Sequence, residues 1–274
     1  MGLLKLDAGT AVITGAGSGL GEAFAKILAG RGMHVVVADI SAERAAQVVE
    51  AIKAEGGSAS AAGTDVTDYA QVEALAEQVY AEHGSVELLI NNAGIEAVGR
   101  LWEESPQKWR QVHAVNLDGV FHGVRAFVPR MLTQGSPAIV ANTASVGAVT
   151  TTLNQGAYVS TKHAVLALTE TLHRELAAEG ADIQVSVVMP NWVRTRIFSD
   201  ANTDAPGEDQ ASSGFLDTMR ASIEEKGMEP IDAARVLIEA IERGDFWAFT
   251  EERCNDLVTA RGRHLIDLTD PIGT

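Results

Sequence analysis

The chain is poor in cysteine and in basic side chains, and it lacks long apolar runs. A single cysteine, Cys254, excludes an internal disulfide and any metal site built from several cysteines. No uninterrupted run of about 18 apolar residues occurs, so the sequence predicts no membrane-spanning helix. The 21 basic against 37 acidic side chains give a net charge of -16, which disfavours nucleic acid as a partner through repulsion.

Histidine-based metal binding and export from the cell are also not expected. His113, His122, His163 and His173 are spread over two predicted helices without carboxylates at ligand spacing, so we expect no metal. The first residues, MGLLKLDAGT, contain an apolar run that is too short for a signal peptide. We therefore expect a cytoplasmic protein with a small-molecule substrate.

Short branched apolar runs alternate with amphipathic stretches along most of the chain. The first run, TAVIT, is bounded by glycine, as a buried parallel strand would be. Further strands are predicted up to Asp39, near residues 58–63, at 86–90, 138–142 and 183–190, and around DFWAFT, with helices between them. This alternation predicts an α/β fold with a parallel sheet that is covered on both faces.

We expect one domain over residues 1–274, because nothing in the sequence suggests a second core. One segment, residues 194–229, turns polar and glycine-rich around DANTDAPGEDQASSG. It is long for a plain connection, so it is either a functional lid or a disordered insertion. We assign a substrate-binding lid to about residues 191–229.

The glycines after the first strand are spaced for a phosphate-binding turn. Gly15, Gly19 and Gly21 lie between a strand end and a helix start, where free N–H groups and the helix dipole attract a pyrophosphate. The spacing departs from the common dinucleotide fingerprint, because Leu20 stands at the position of the third glycine. Alone, such a turn is also compatible with a simple tight loop.

An acidic residue at the end of the second strand bears on the choice of cofactor. Asp39 can accept hydrogen bonds from the adenosine ribose hydroxyls, and its carboxylate would repel a 2′-phosphate. Neither Ser18 nor Ile40 supplies the positive charge that such a phosphate needs. These residues favour NAD over NADP. The alternative is a solvated aspartate that caps the next helix, although Ser41 can serve as that cap.

Tyr158 and Lys162 form a candidate acid–base pair, since residues four apart share one helix face. The pKa of a free phenol is about 10, and a neighbouring ammonium favours the phenolate. We expect Lys162 to lower the pKa of Tyr158. With the hydroxyl of Ser145, the pair can bind a carbonyl or alcohol oxygen and move its proton, which is half of a redox reaction on carbon.

These motifs together resemble the short-chain dehydrogenase/reductase family. The resemblance rests on TGAGSGLG, GTDVTD, NNAG, VNLDGVF, a serine thirteen residues before the tyrosine, and YVSTK. It implies a Rossmann-like, doubly wound sheet of about seven parallel strands, a nicotinamide cofactor, and a homodimer or homotetramer formed through two long helices. It also implies a catalytic tetrad of Asn116, Ser145, Tyr158 and Lys162, in which Asn116 distorts its helix and links Lys162 to solvent through a water.

The resemblance also implies the cofactor contacts. The expected set is Gly15, Ser18, Gly19, Leu20, Gly21, Asp39, Ile40, Asp65, Val66, Asn92, Ala93, Gly94, Tyr158, Lys162, Pro190, Val193 and Thr195. Within it, Asp65 and Val66 should meet the adenine. One departure is Pro190-Asn191, where the family usually shows Pro-Gly, and an asparagine can still adopt the turn.

The substrate end of the site is predicted to be mainly apolar, which suits a bulky aromatic or alicyclic secondary alcohol or ketone. The residues expected to line it are Glu96, Val146, Gln155, Asn191, Trp192, Phe198, Phe215 and Met219. Two other functions remain open. One is reduction of a 3-oxoacyl thioester, which would prefer NADPH and a basic surface. The other is a non-catalytic dinucleotide sensor, which has no need for Tyr158 or Lys162.

Overall fold

The computed structural model describes residues 5–199, 201, 210–251 and 254–267. These residues contain the strands β1 (Thr10–Thr14), β2 (His34–Asp39), β3 (Ser58–Gly63), β4 (Leu88–Asn91), β5 (Ala138–Thr143), β6 (Ile183–Met189) and β7 (Trp247–Phe249). The strands form one parallel sheet in the order β3-β2-β1-β4-β5-β6-β7. The doubly wound, seven-stranded α/β fold expected from the sequence is confirmed.

The helices cover both faces of the sheet. In chain order they are α1 (Gly19–Arg31), α2 (Ala42–Ala54), α3 (Tyr69–His83), α4 (Pro106–His113), α5 (Gly119–Met131), α6 (Gly156–Ala178), α7 (Gln210–Lys226), α8 (Pro230–Glu242) and α9 (Cys254–Asp267). None of the described helices is both long enough and apolar enough to cross a lipid bilayer.

The alternation of side chains along the central strands divides the core into two layers. On β1, Ile13 packs with Leu28 of α1 on one face, and Val12 packs with Phe127 of α5 on the other. All four side chains are fully buried. Each contributes about 1.5–3 kcal/mol through burial. The two layers hold the sheet rigid, and this rigidity fixes the carboxyl edge where the loops lie.

The order of the strands reverses at β1, which pairs with β2 on one side and with β4 on the other. The loops after β1 and β4 therefore diverge and leave a crevice at the carboxyl edge of the sheet, where ligands bind in folds of this type. The glycine turn follows β1, Asp39 ends β2, and NNAG begins at the end of β4. The fold thus brings the sequence motifs to one edge.

Two elements, α7 and α9, differ from the sequence-based expectation. The helices α4 and α5 are joined by a π-helical turn at Ala114–Asp118, which contains Asn116. Part of the polar segment is the regular helix α7, although residues 200 and 202–209, in the centre of DANTDAPGEDQASSG, lie outside the described residues. The helix α9 was not predicted. Cys254, at its start, is buried.

Candidate active site

A cavity of about 670 Å³ runs along the carboxyl edge of the sheet. Every residue expected to contact the cofactor lines it, from Gly15 in the glycine turn to Thr195 beyond β6. Of the expected tetrad, Ser145, Tyr158 and Lys162 also line the cavity. A single continuous cavity therefore joins the glycine turn to the acid–base pair.

The glycine turn is shaped for close approach of a ligand. Gly15 and Gly19 have positive φ angles of 63° and 58°, which favour glycine. A Cβ atom on Gly21 would collide with the carbonyl oxygen of Gly15 and lie 2.6 Å from Nδ2 of Asn92. Ser18 occupies the N-cap of α1, but its side chain makes no capping hydrogen bond. The first residues of α1 line the cavity, and the side chain of Ser18 leaves their N–H groups uncapped.

Asp39 is buried at the end of β2 and joins the glycine turn to the next helix. Its carboxylate accepts hydrogen bonds from the N–H of Gly17 at 2.9 Å and from the N–H of Ser41 at 2.9 Å. Ser41 itself caps α2 by accepting from the N–H of Arg44 at 3.3 Å. Ser41 is therefore the helix cap, and Asp39 is held facing the turn, where it lines the cavity.

Arg44 is a cavity residue that the sequence reasoning missed. Its Nη2 atom donates to Oδ1 of Asp39 at 3.1 Å, and its side chain remains 37% exposed beside the cavity. The available signal was a basic residue in the first turn of the helix that follows Asp39. Arg44 places a positive charge next to the carboxylate that was expected to exclude a 2′-phosphate.

The far end of the cavity is formed by the residues after β3. Asp65 accepts hydrogen bonds from the N–H of Thr67 at 2.9 Å and from its hydroxyl at 2.8 Å, which stabilise the turn. Val66 is buried, and its carbonyl oxygen lies 2.8 Å from Nδ1 of His122. Ile40 is 69% exposed at the rim. These residues form a partly apolar surface suited to a planar ring.

The NNAG segment is tied to β1 by the side chain of Thr14. The hydroxyl of Thr14 accepts hydrogen bonds from the N–H of Asn92 at 2.9 Å and from the N–H of Ala93 at 3.1 Å. The amide of Asn92 in turn donates to the carbonyl oxygens of Thr14 at 3.0 Å and Gly15 at 3.3 Å. These bonds position the floor of the cavity between the glycine turn and Gly94.

Asn116 lies in the π-helical turn, is fully buried and does not line the cavity. Its Oδ1 atom accepts from the N–H of Ile95 at 2.8 Å, and its Nδ2 atom donates to the Ile95 carbonyl oxygen at 3.0 Å. Nδ2 also donates to the hydroxyl of Thr161 at 3.2 Å. Asn116 thus holds the loop after β4 against α6. The helix distortion at Asn116, expected from the resemblance, is present in the structure.

Lys162 is almost fully buried, and its Nζ atom donates to the carbonyl oxygen of Thr143 at 2.9 Å. Burial lowers the pKa of Lys162 to about 8, while the negative charge of Glu96 acts in the opposite direction. The same Nζ atom lies 5.5 Å from the centroid of the Tyr158 ring. Burial therefore brings the pKa of Lys162 closer to neutral pH, beside the phenol of Tyr158.

The pKa of Tyr158 shifts in the direction opposite to the expectation. Its ring is partly accessible through the cavity, but the protein atoms packed around it desolvate the phenol and raise its pKa. The negative charge of Glu96 raises this pKa further, and a hydrogen bond with Ser145 opposes the shift. Lowering by Lys162 was expected from spacing alone, whereas burial and Glu96 raise this pKa.

Ser145 begins a 3₁₀ turn, Val146–Ala148, directly after β5. Its hydroxyl accepts a hydrogen bond from the N–H of Gly147 at 3.1 Å, which fixes the side chain. A Cβ atom on Gly147 would lie 3.5 Å from both the Ser145 Oγ atom and the Tyr158 ring. The serine and tyrosine hydroxyls therefore stand close together at the cavity wall.

Glu96 and Gln155 form a buried polar pair in the same cavity. Nε2 of Gln155 donates to Oε2 of Glu96 at 2.8 Å, and the N–H of Ala97 donates to Oε1 of Glu96 at 3.0 Å. Burial raises the pKa of Glu96 to about 8, against the effect of these hydrogen bonds and of Lys162. Glu96 is thus an ionisable group of the site itself.

The substrate end agrees in part with the residues expected there. Val146, Asn191, Trp192, Phe198 and Met219 line the cavity, as do residues of α9 that were not anticipated, namely Leu257, Ala260 and Arg261. Phe215 does not line it. It lies one helical turn before Met219 and packs in a small apolar cluster with Val98, Phe198 and Leu216.

The segment between β6 and α8 is closed at its base. The N–H of Met228 donates to the Trp192 carbonyl oxygen at 2.8 Å, and the N–H of Arg194 donates to the Met228 carbonyl oxygen at 2.9 Å. Next to this bridge, Thr195 contacts the position of Gly19, where a Cβ atom would lie 3.2 Å from the Thr195 methyl group. Asn191 donates from its side chain to Glu251 at 3.3 Å, so its amide is anchored at the rim.

No group of three or more His, Cys, Asp or Glu side chains within the described ranges is arranged to hold a metal ion.

Comparison with known proteins places this geometry in a family. The model of the short chain dehydrogenase family matches residues 9–206. A cyclohexanol dehydrogenase of Acinetobacter sp. is 38% identical over 197 residues, 72% of this chain and 77% of that protein. A 3-oxoacyl-[acyl-carrier-protein] reductase, FabG of Staphylococcus aureus, is 40% identical over 185 residues, 67% of this chain and 74% of that protein.

A solved structure covers nearly the whole chain. The short chain dehydrogenase/reductase from Burkholderia phymatum in complex with NAD has 35% sequence identity, a TM-score of 0.94 and 99% coverage of both chains. The chain spans only 39% of the length of another relative, the probable oxidoreductase EphD of Mycobacterium tuberculosis, which is 32% identical over 235 residues. Because the family model spans more than half of the sequence and includes the glycine turn, Ser145, Tyr158 and Lys162, the chain belongs to the short-chain dehydrogenase family.

Proposed function

We propose that this oxidoreductase transfers hydride between NAD(H) and a bulky secondary alcohol or ketone, with Tyr158 as the acid or base. The observation that carries the proposal is the single cavity, which holds the glycine turn and Asp39 at one end and Tyr158, Ser145 and Lys162 at the other. A proton-transferring group next to a site for a hydride carrier is what the interconversion of an alcohol and a ketone requires.

The glycine turn fits a dinucleotide. Gly15 and Gly19 adopt left-handed conformations, and the space at Gly21 is closed to any side chain. The N-terminus of α1 presents N–H groups and a positive dipole end to the cavity, which suits a pyrophosphate. When bound, the cofactor would supply a nicotinamide ring that accepts or donates the hydride. The expected contacts along NNAG and at Val193 and Thr195 all line the same cavity.

The residues of the chain handle the proton. In the oxidation, the carbinol C–H bond breaks and its electron pair leaves as hydride, the O–H proton passes to the phenolate oxygen of Tyr158, and the C=O bond forms. Ser145 orients the substrate oxygen, and a charged Lys162 stabilises the phenolate that oxidation requires. In the reduction, Tyr158 donates its proton to the carbonyl oxygen, and its raised pKa keeps it protonated at neutral pH as an ordinary phenol is.

The proposed preference for NAD rests on Asp39. Its carboxylate is buried and faces the glycine turn. An adenosine ribose bound at the end of β2 would bring a 2′-phosphate close to this negative charge. Arg44 offsets part of this repulsion, but it is paired with the same carboxylate. The NAD complex of the Burkholderia phymatum relative supports this choice. We infer that the carboxylate dominates as long as the pair is intact.

Substitution Gly21→Ala is expected to weaken NADH binding by at least about tenfold. The new Cβ atom would meet the Gly15 carbonyl oxygen and the Asn92 amide, so the turn has to shift away from the pyrophosphate position. Overpacking of this kind also costs about 1–3 kcal/mol of stability. NADH fluorescence titration and thermal denaturation measure the two effects. Binding at the wild-type level would contradict the proposed phosphate site.

Gly30→Ala is the matched control on the same helix. Gly30 is exposed, and a Cβ atom there meets nothing within 4 Å. Alanine in a helix interior is favoured over glycine by about 0.5–1 kcal/mol, so this variant should be slightly more stable than the wild type. Its NADH affinity should stay unchanged. A loss of affinity in both variants would show that helix α1 responds to any substitution.

The substrate class follows from the lining beyond Tyr158. Val146, Trp192, Phe198 and Met219 give an apolar surface, and the segment 191–229 supplies most of it as a proposed lid. The similarity to a cyclohexanol dehydrogenase supports an alicyclic or aromatic secondary alcohol. We expect NAD-dependent oxidation of cyclohexanol, 1-phenylethanol or related alcohols, followed by NADH absorbance. If no secondary alcohol in the panel is oxidised, the proposal is wrong.

Reduction of a 3-oxoacyl thioester is the second candidate, because the FabG relative is 40% identical over 185 residues. The net charge of -16 counts against an acidic carrier protein as a partner. Incubation with NADPH and an acetoacetyl thioester separates the two candidates. Activity on the thioester alone, without any alcohol oxidation, would favour the second.

A further inference from the structure

Burying the polar pair Glu96–Gln155 in a mainly apolar cavity costs free energy. Glu96 is 3% exposed and Gln155 is 6% exposed, and both line the cavity beside Val146, Trp192 and Phe198. Burying a carboxyl group costs free energy unless it is hydrogen-bonded, and two hydrogen bonds offset only part of that cost. A buried polar pair of this kind in a substrate cavity calls for a reason beyond packing.

Joining two parts of the chain is not that reason. The loop that follows Gly94 is already held to the start of α6 by the backbone, where the N–H of Gly99 donates to the carbonyl oxygen of Asn154 at 2.9 Å. Gly99 and Gln155 also form an isolated parallel bridge. The side-chain bond between Glu96 and Gln155 adds a second connection between segments that the main chain already connects.

The pair still has hydrogen-bonding capacity to offer. Oε1 of Glu96 accepts one bond from the N–H of Ala97, and Oε2 accepts one bond from Gln155. A carboxyl oxygen accepts two bonds, so each retains one acceptor position, and the amide oxygen of Gln155 is a further acceptor. A ligand that offers a donor to this wall of the cavity gains a hydrogen bond that an apolar ligand cannot make.

The pair also lies close to the reacting centre. Gln155 is the N-cap residue of α6, three positions before Tyr158, and residues three apart are neighbours about 5–6 Å from each other on a helix. The charge of Glu96 reaches both Tyr158 and Lys162 strongly enough to shift their protonation. A substrate whose reacting oxygen sits on Tyr158 therefore places its adjacent carbons within reach of the pair.

The neighbouring charges select the kind of donor. A substrate ammonium group would stand near the ammonium group of Lys162, and a substrate carboxylate would be buried at the wall where burial already raises the pKa of Glu96 to about 8. A neutral hydroxyl group avoids both penalties and can donate to a carboxyl oxygen or to the Gln155 amide. The chemistry thus points to a hydroxyl.

Resting on the function proposed above, we propose that Glu96 and Gln155 bind a second hydroxyl group of the substrate, on a carbon next to the reacting one. The preferred substrates are then vicinal diols and their hydroxyketones, rather than alcohols with a single oxygen. The pair acts as a specificity determinant, because its hydrogen bonds are made only by substrates that carry the second hydroxyl. A site built to bind a substrate hydroxyl discriminates strongly against the analogue that lacks it.

The test compares cyclohexanol with cis- and trans-1,2-cyclohexanediol, each with NAD, in wild type and in Glu96→Met. Wild type should favour at least one diol isomer by tenfold or more in kcat/KM. Glu96→Met, of similar length but apolar, should lower the ratio of kcat/KM on that diol to kcat/KM on cyclohexanol by at least about tenfold. Glu96→Gln, which keeps an acceptor oxygen, should restore part of the preference.

Other outcomes decide against the proposal in distinguishable ways. Oxidation of cyclohexanol without preference for a diol, or an equal loss on both substrates in Glu96→Met, overturns this inference and leaves the proposed function intact. Failure to oxidise any of these alcohols overturns both. Should Glu96→Met not fold, as judged by thermal denaturation, Gln155→Leu has to show the same selective loss on the diol for the inference to stand.

Discussion

Tyr158→Phe is expected to reduce kcat by at least about a thousandfold. The substitution removes one oxygen atom, and with it the group that gives a proton to the substrate oxygen or takes it away. General acid–base catalysis by a positioned side chain contributes about 10²–10⁴ in rate. Ser145 cannot replace the phenol, because its own hydroxyl is held by the Gly147 N–H and lacks a neighbouring ammonium of the kind Lys162 provides.

Binding and folding should survive this substitution. Phenylalanine keeps the ring and its packing in α6, so NADH affinity should remain within about twofold in a fluorescence titration. The matched control is Tyr80→Phe, which removes a hydroxyl that donates to Gln134 at 2.7 Å outside the cavity. That variant should lose about 1 kcal/mol of stability and no activity. Turnover within tenfold of wild type in Tyr158→Phe would disprove its role as the acid or base.

Asp39→Ala is expected to change the ratio of NADPH to NADH affinity by roughly a hundredfold, or about 3 kcal/mol, in favour of NADPH. In the wild type, we expect NADH to bind at least about tenfold more tightly. Two charges about 5 Å apart interact by about 3 kcal/mol at an effective dielectric constant of about 20, so removing the carboxylate removes repulsion of that order. It also releases Arg44, whose guanidinium can then pair with the 2′-phosphate.

The ratio of affinities is the quantity to compare, because Asp39 also accepts hydrogen bonds from the N–H groups of Gly17 and Ser41. Their loss should weaken both cofactors to a similar degree. The double variant Asp39→Ala with Arg44→Ala isolates the arginine, and its gain in NADPH affinity should be at least about tenfold smaller. Equal affinity of the wild type for both cofactors, or an unchanged ratio in Asp39→Ala, would remove the assigned role of Asp39.

Much of this site can be predicted from the sequence, because in this fold the position of a residue within its strand or helix also determines where it lies relative to the site. The strand TAVIT, the glycines after it and Asp39 at the next strand end each define a local element. In a parallel sheet, such elements reach the same edge whatever the details of packing. The same holds for Tyr158 and Lys162, whose separation of four residues places them together once α6 forms.

Other features depend on contacts between distant parts of the chain. The pKa of Tyr158 is set by burial and by Glu96, which lies on another loop, so helix spacing alone predicted the wrong direction. Arg44 is held beside the cavity by its hydrogen bond to Asp39, and the pattern of apolar residues along the sequence does not predict this contact. The tetrad roles, the lid, the single-domain assignment, the cytoplasmic location and the homodimer or homotetramer stay predictions.

The missed helices share a weak apolar pattern. The stretch that forms α9, CNDLVTARGRHLID, contains a glycine and several charges, and α7 begins with QASSG. Isolated helices with such sequences are marginal in water, and tertiary packing decides whether they form. In α7 that packing comes from Leu216, which is buried against Val98 and Phe198. A pattern of residues along the chain does not carry this information.

The backbone bridge between Trp192, Arg194 and Met228 has a kinetic consequence. It ties the two ends of the segment between β6 and α8 together next to Thr195, which lies beside Gly19 of the glycine turn. A movement of α7 that displaces Met219 would therefore open the substrate end of the cavity and leave Val193 and Thr195 in place. The substrate or product could then leave while the dinucleotide stays bound. We therefore expect ordered addition, with the dinucleotide entering first and leaving last, as a product-inhibition pattern would reveal.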